Sequence, residues 1–257
     1  MTIHLYTVCK NEVELIPHFL KYFEQFVSKI VVFDNQSTDG SRELLLQHPL
    51  VTVIGYNTKG VLRDDIHMLI KNSVWQESKG KADWVIATDL DEFLYHKDLL
   101  SYLEDSKKQG YTILKTTGFN MIADRYPTAD TCITKQVKFG AYSERFSKNV
   151  LFDPNKIEQM NYSPGGHFTE PMGAVNYRVS EGLYLLHYKY LGGIERLQQR
   201  WNEVGVALSA INEQYSWGIR RKQPEILASR YDYVKSNAIN IIDTNSEEIV
   251  YSGETYV

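Results

Sequence analysis

Residues 82–96 read ADWVIATDLDEFLYH, which sets Asp89, Asp91 and Glu92 at the end of an apolar run. Three carboxylates this close repel one another unless a cation, a proton or solvent relieves them. Hard oxygen ligands suit Mg2+ or Mn2+, ions that keep several waters and share coordination with substrate phosphates. The chemistry expected of Asp-x-Asp is therefore a divalent cation, with Asp91 and Asp89 as acidic ligands. The plain alternative is a solvated loop whose acids start a helix. A second polar group follows VVFD, where Asp34 and Asn35 lead into Ser37, Thr38, Asp39 and Gly40. Asp34 suits a contact to a base or ribose, whereas Asp39 and Ser41 suit capping the next helix.

The elements that must position these residues alternate. Strand-like runs at IHLYTV, KIVVFD, VTVIGYN, DWVIATD and YTILKTTGF are separated by helical patterns. Residues 14–26 place Leu15, Phe19, Leu20, Phe23 and Phe26 near a helical period. Residues 61–79 place Leu62, Ile66, Leu69, Ile70 and Val74 on one side, and DLLSYLEDSKKQG reads as a helix ending at Gly110. This rhythm predicts an α/β fold with a mainly parallel central sheet and right-handed crossovers. Ligands in such sheets bind beyond the carboxyl ends of the strands. Lys10, Asn11 and Glu12, then Asp34 and Asn35, then Asp89 and Asp91 would converge on that rim. After about residue 123 the rhythm breaks into short strand-like runs and turns. Residues 192–211 then read as a helix with Ile194, Leu197, Trp201, Val204 and Leu208 on one face, and 224–235 as another. The polar end from about Asn245 reads as loosely held.

The chain has 257 residues, enough for one large α/β domain. Its net charge of −4 supplies no basic field for nucleic acid. Cys9 and Cys132 have no metal-ligand spacing, and two isolated thiols fit a reducing compartment, with a single disulfide left open. The N-terminus does not read as a signal peptide, and no window offers 18 uninterrupted apolar residues. A cytoplasmic location is expected. Contact with the inner face of a membrane through the amphipathic C-terminal helix is left open.

TVCKNEVELIPHFLKYF, IVVFDNQSTDGSRELL and DWVIATDLDEFL, in this order, resemble the family 2 glycosyltransferases of the GT-A (Rossmann-like) fold. The closest pattern is the branch whose acid pair reads Asp-x-Asp-Glu-Phe. The match covers residues 2–120 well and the later segments more loosely. It implies helices on both faces of the sheet and a C-terminal helical extension. Residues 1–120 would be the nucleotide-sugar-binding half of a single domain, 121–191 its acceptor-side half and 192–257 the extension. It further implies that Asp34 meets the base, and that Asp89 and Asp91 meet the ribose and the metal-bound diphosphate. Asn11 and Glu12, Arg63 with Asp64, and Lys189 would stand around the donor. His187, in LYLLHYKY, looks like the histidine that family members add as a further metal ligand. Bland readings stand beside these: a lone histidine at a strand end is usually structural, and Arg63 and Asp64 also fit a helix surface.

The implied activity is a metal-dependent, hexosyltransferase-type transfer from a nucleotide-sugar donor, UDP-sugar favoured, to a glycan or lipid-linked hydroxyl, as in polysaccharide biosynthesis. Inversion would need a carboxylate to deprotonate the acceptor. Glu170, in the SPGGHFTEP loop with His167, is the first choice, with Asp153 and Asp124 behind it. No Glu-Asp pair stands where that base often sits in the family. Arg145 and Lys148 fit phosphate or acceptor contacts, or ordinary salt bridges. Two rivals remain. One is a haloacid-dehalogenase-like phosphatase using Asp-Leu-Asp. The other is a non-catalytic glycan- or nucleotide-binding protein, whose Tyr184, Tyr188 and Tyr190 could stack on sugars.

Overall fold

The computed structural model describes residues 1–242, so the end from about Asn245 lies outside the described residues. The α/β architecture expected from the sequence is present. The first half runs β1 (Ile3–Cys9), α1 (Ile16–Phe23), β2 (Lys29–Asp34), α2 (Ser41–Leu46), β3 (Val51–Gly55), α3 (Asp64–Ser73) and β4 (Trp84–Ala87). Then come β5 (Glu92–Tyr95), α4 (Leu99–Lys108), β6 (Ile113–Ala123), α5 (Ile133–Gln136), β7 (Phe139–Tyr142), β8 (Leu151–Phe152), β9 (Ile157–Gln159) and β10 (Met172–Gly173). The long β11 (Tyr177–Leu191) leads into α6 (Gly193–Val206), α7 (Ala210–Gln214), α8 (Pro224–Ser236) and β12 (Ile239–Asn240).

β3, β2, β1 and β4 are parallel neighbours, as their near-continuous apolar runs require. Side-chain alternation splits them between two cores. Ile3, Leu5, Ile30, Val32, Trp84 and Ile86 pack with α1, α2 and α4 on one face. Tyr6, Val31, Phe33, Val85 and Ala87 pack with Trp75 and Ile70 on the other. Beyond β4 the sheet is mixed. β8 runs antiparallel between β4 and β6, and β11 pairs parallel with β6 and antiparallel with β5. The expectation of a mainly parallel sheet therefore holds for the first half and gives way to a ten-stranded mixed sheet.

Two helices differ from their sequence pattern. α3 stops at Ser73 and tightens into a 3-10 turn over residues 74–78. Leu69, expected inside, is 58% exposed, and the residue of this helix that is buried is Lys71. The helix expected over 192–211 is broken into α6 and α7, although Leu197, Trp201 and Leu208 are buried as expected. α6 and α8 pack over Ile122, Ala141 and Tyr190, forming the C-terminal extension. Leu62 N donates to Ala207 O, and Asn212 holds Asp64 through its amide, so the extension closes back on the start of α3. Tyr184, Tyr188 and Tyr190 are buried rather than offered to sugars. Cys9 and Cys132 are free thiols. No helix of the described residues is long and apolar enough to cross a membrane.

Candidate active site

A cavity of about 690 Å³ opens at the carboxyl ends of β1, β2 and β4 and beneath α6. Its floor is the Asp89–Glu92 turn. β4 ends at Ala87, and Glu92 N donates to Asp89 O, 3.0 Å, while Asp89 N donates to Glu92 Oε2, 3.2 Å. Phe93 then locks the turn to the core by packing among Phe19, Phe23, Tyr22 and Tyr188.

Two lysines serve two of the three acids, Asp89 and Glu92. Lys71 Nζ stands 2.6 Å from Asp89 Oδ1, and Lys148 Nζ 3.4 Å from Asp89 Oδ2. Lys148 also holds Glu92 Oε1, with both side chains almost wholly buried, and donates to Gly165 O, 3.3 Å. Burial opposes the charge on Asp89, but Lys71 and Lys148 hold its carboxyl well below the usual carboxylate range. Burial likewise works against the Lys148 ammonium, which Glu92 and Asp89 hold above its ordinary value. Lys148 reaches this rim because β8 runs antiparallel to β4: the chain arrives at the acid end and leaves at the opposite end. The paired glycines of SPGGHF fold into the same wall, with Gly165 and Gly166 at φ 76° and 66°. A side chain at Gly166 would press on Lys71.

Asp91 faces His187 instead. β11 lies between β5 and β6, and its register sets His187 opposite both Glu92 and Asn120. His187 Nδ1 lies 2.8 Å from Asn120 Oδ1, its ring stacks on Phe146 at 3.9 Å, and Nε2 lies 3.2 Å from Asp91 Oδ2. Asn120 Oδ1 accepts from the Nδ1–H, so Nε2 meets the carboxylate either as the N–H of an imidazolium or as the bare nitrogen of a neutral ring. Two acceptors facing each other need a proton or a metal cation between them. Burial works to raise the Asp91 carboxyl, but His187 holds it below the usual range. One extra residue in β11 between His187 and Tyr190, relative to β6, makes a bulge that carries Lys189. Lys189 lines the cavity 4.7 Å from the Trp201 ring, pushed down to about 7 by burial and by Arg221.

The remaining predicted residues divide. Asn11 and Glu12 line the cavity. Asn11 sits at φ 53°, its side chain accepts from Thr38 N, and its backbone oxygen accepts from Arg200. Glu12 is ion-paired with Arg200, and burial pushes its carboxyl up to about 8. Asp34 is buried and does not line the cavity: it accepts from Ser37 N and pairs with Arg42 at 3.4 Å. Arg63 stands outside as well, bound through Nε and Nη2 to Asp65. Glu170 is exposed on the outer side of its loop, and Asp124 pairs with Lys235 and Tyr231. Asp153 follows Phe152, which lies beside Val85, so it caps a turn at the opposite end of the sheet from Asp89. None of these three lines the cavity. Asp39 and Ser41, expected to cap α2, instead staple the first two loops through Val13 N and Glu12 N; the N-cap position is Gly40, with no side-chain cap, although Asp39 also accepts from Ser41 N.

Among the described residues no three His, Cys, Asp or Glu side chains gather to hold an ion. Asp91 and His187 make a two-donor set, whereas the lysines already occupy Asp89. Mg2+ and Mn2+ sites often take only one or two protein ligands and complete their shell with waters and phosphates. The two-donor set fits such an ion, and Asn120 fixes the histidine as metal-ligating histidines usually are fixed.

The sequence does not mark Lys71, Phe146, Arg196, Arg200 and Arg221 as part of this cavity, nor Asn120 as the residue that holds His187. Some had a signal: Asp64, His67 and Lys71 form a polar stripe at helical spacing along α3, as Arg196, Arg200 and Glu203 do along α6.

No family model matches the chain, and no curated protein matches it. It is similar to solved structures. The crystal structure of S. aureus TarS 1-349 aligns over 90% of this chain and 73% of its own, at 11% identity and TM-score 0.47. The same fragment in complex with UDP-GlcNAc aligns over 80% and 66%, at 10% identity and TM-score 0.44. The structure titled simply S. aureus TarS aligns over 90% of this chain and 43% of its own, at 9% identity and TM-score 0.41. Likeness at this level carries no residue's role across; what the chain shows for itself is the α/β sheet, the C-terminal extension and the cavity between them.

Proposed function

We propose that the chain is a glycosyltransferase that takes a sugar from a nucleoside-diphosphate donor bound at the carboxyl ends of β1, β2 and β4. The observation that carries this reading is the pairing of Asp91 with an Asn120-oriented His187 in a cavity where basic side chains outnumber acidic ones. Asp91 and His187 would hold Mn2+ or Mg2+, which as a bound Lewis acid offsets charge on a leaving diphosphate. Lys189, in the cavity wall, would take up more of that charge. Lys71 and Lys148 keep Asp89 ionised and fixed, able to accept from a ribose hydroxyl with its unshared lone pairs. Asn35 and Tyr56, which line the cavity where the enclosed Asp34 does not, would meet the base.

Inverting transfer needs a carboxylate to take the acceptor proton. Glu12, held near 8 by burial, is the best-suited base among the cavity's carboxylates. The phosphatase alternative is disfavoured, since a nucleophilic Asp89 would have to attack from between two ammonium groups that bind its oxygens. Nucleoside diphosphate release from UDP-sugars, followed with and without Mn2+, tests the reading. Asp91→Asn should lose metal-stimulated release. Glu12→Gln should bind donor normally and lose turnover by about 100-fold or more. Unchanged turnover in Glu12→Gln would remove it as the base, and metal-stimulated release surviving in Asp91→Asn would overturn the site.

A further inference from the structure

Four arginines gather at the outer edge of the cavity with no carboxylate at ion-pair distance among the described residues: Arg145, Arg220, Arg221 and Arg230. Their neighbours Arg196 and Arg200, one turn apart on α6, each hold a glutamate. The fold brings the four together by separate routes. A Cβ at Gly205 on α6 would stand 2.5 Å from the Arg221 carbonyl, so the bare glycine lets the 219–222 turn come in against the helix. Arg230, on α8, lies 5.9 Å from the Trp201 ring of α6. Arg145 Nε donates to His167 Nε2, 3.1 Å, on the facing wall. Burial depresses Arg145, and Arg230, Arg220 and Arg221 each add to that effect, as mutually close cations do.

Such a cluster is unfavourable by itself, and the chain as a whole is acidic, with a net charge of −4. A donor diphosphate does not explain all of it. Arg145 and Arg221 line the cavity, whereas Arg220 and Arg230 stand outside its lining. We propose that Arg145, Arg220, Arg221 and Arg230 form a second anion site at the cavity mouth that takes a phosphate group carried by the sugar acceptor. Calling the ligand an acceptor rests on the transferase reading; the anion site itself does not. Guanidinium groups give phosphate paired, charge-assisted hydrogen bonds, and a cluster at the mouth would hold the phosphate while a nearby hydroxyl enters.

Calorimetry on the full chain saturated with UDP tests this. The probes are a short glycerol-phosphate oligomer, a neutral polyol of equal length, and phosphatidylcholine vesicles with and without phosphatidic acid. The oligomer or the phosphatidic acid vesicles should bind while the neutral polyol does not. Arg220→Gln with Arg230→Gln should weaken that binding about tenfold, or about 1.4 kcal/mol, and leave UDP affinity within about twofold. Arg220→Lys with Arg230→Lys, which keeps the charge, should fall between. Binding of the oligomer alone assigns the phosphate to a soluble chain, and of the vesicles alone to a lipid. If neither binds, if UDP displaces the oligomer, or if the glutamine variant binds as wild type does, the second site is refuted. Failure of UDP itself to bind would strike the donor reading instead, and the oligomer titration would then be read without UDP.

Discussion

Lys148→Met removes the ammonium that Glu92 and Asp89 share. Lys148 and Glu92 each leave about 1% of the side chain exposed, so water cannot take over the lost pairing. Breaking a buried pair by removing one partner costs about 3–5 kcal/mol. That is a large part of the ~5–15 kcal/mol that holds a domain folded. At about 2–4 °C per kcal/mol for a domain of this size, Tm should fall by roughly 6–20 °C. The double variant Lys148→Met with Glu92→Leu should recover most of the loss, to within about 2 kcal/mol of wild type, because an apolar pair of similar volume often replaces a buried ion pair nearly neutrally. The residual cost is the Glu92 hydrogen bond from Asp89 N, about 1 kcal/mol. Asp89 keeps Lys71 at 2.6 Å in either variant. Urea unfolding with an unchanged slope measures both differences. A single variant within about 1 kcal/mol of wild type, or a double variant no more stable than the single, would refute the reasoning.

Asn120→Leu should leave the fold intact but free the His187 ring, lowering Mn2+ affinity about 10–100-fold; an unchanged affinity by paramagnetic resonance titration would remove Asn120 as its anchor. Gly118→Ala would drive a Cβ into the Phe146 backbone, so it should destabilise by about 1–3 kcal/mol and loosen the turn that stacks on His187, checked by thermal unfolding. His4 is buried against Ser78 Oγ, 2.8 Å, and burial, then Lys29, hold it below its ordinary value. The unfolded chain therefore binds this proton near pH 6.5 while the folded chain does not, so stability is full above that pH and declines as pH falls below it. The slope is at most about 1.4 kcal/mol per pH unit for one histidine. The urea midpoint should fall between pH 7 and 5.5, less steeply in His4→Gln, and equal slopes would contradict the assignment.

Local signals carried the first half of the chain. β1, β2 and β4 are apolar on both faces, and α1 and α4 show a clean period, so the strand ends and the acids set there were readable. His187 was readable as a polar residue closing an apolar strand. The counter-ions were not. Lys71 looks in sequence like a surface lysine and Lys148 like a phosphate or acceptor contact or an ordinary salt bridge, and the antiparallel return of β8 that brings Lys148 to Asp89 and Glu92 leaves no local trace. Glu170 and Asp153 read in sequence as acids near a glycine loop and a strand end. Whether a strand end faces the cavity depends on strand direction, which short runs such as LF do not reveal. Asp34 ends the right strand, but its carboxylate closes its own turn. The break between α6 and α7 also lacked a local signal, since it follows from Leu62 and Asp64 pulling the chain back toward α3.

On the proposed function, the acid turn serves a metal-bound diphosphate. The most direct measurement is calorimetric titration of UDP-, GDP-, dTDP- and CMP-sugars, with and without Mn2+, into wild type and Asp91→Ala. Metal-dependent binding of one nucleotide class to wild type, lost in the variant, is the predicted result. Absence of binding to all four, with or without Mn2+, would contradict it.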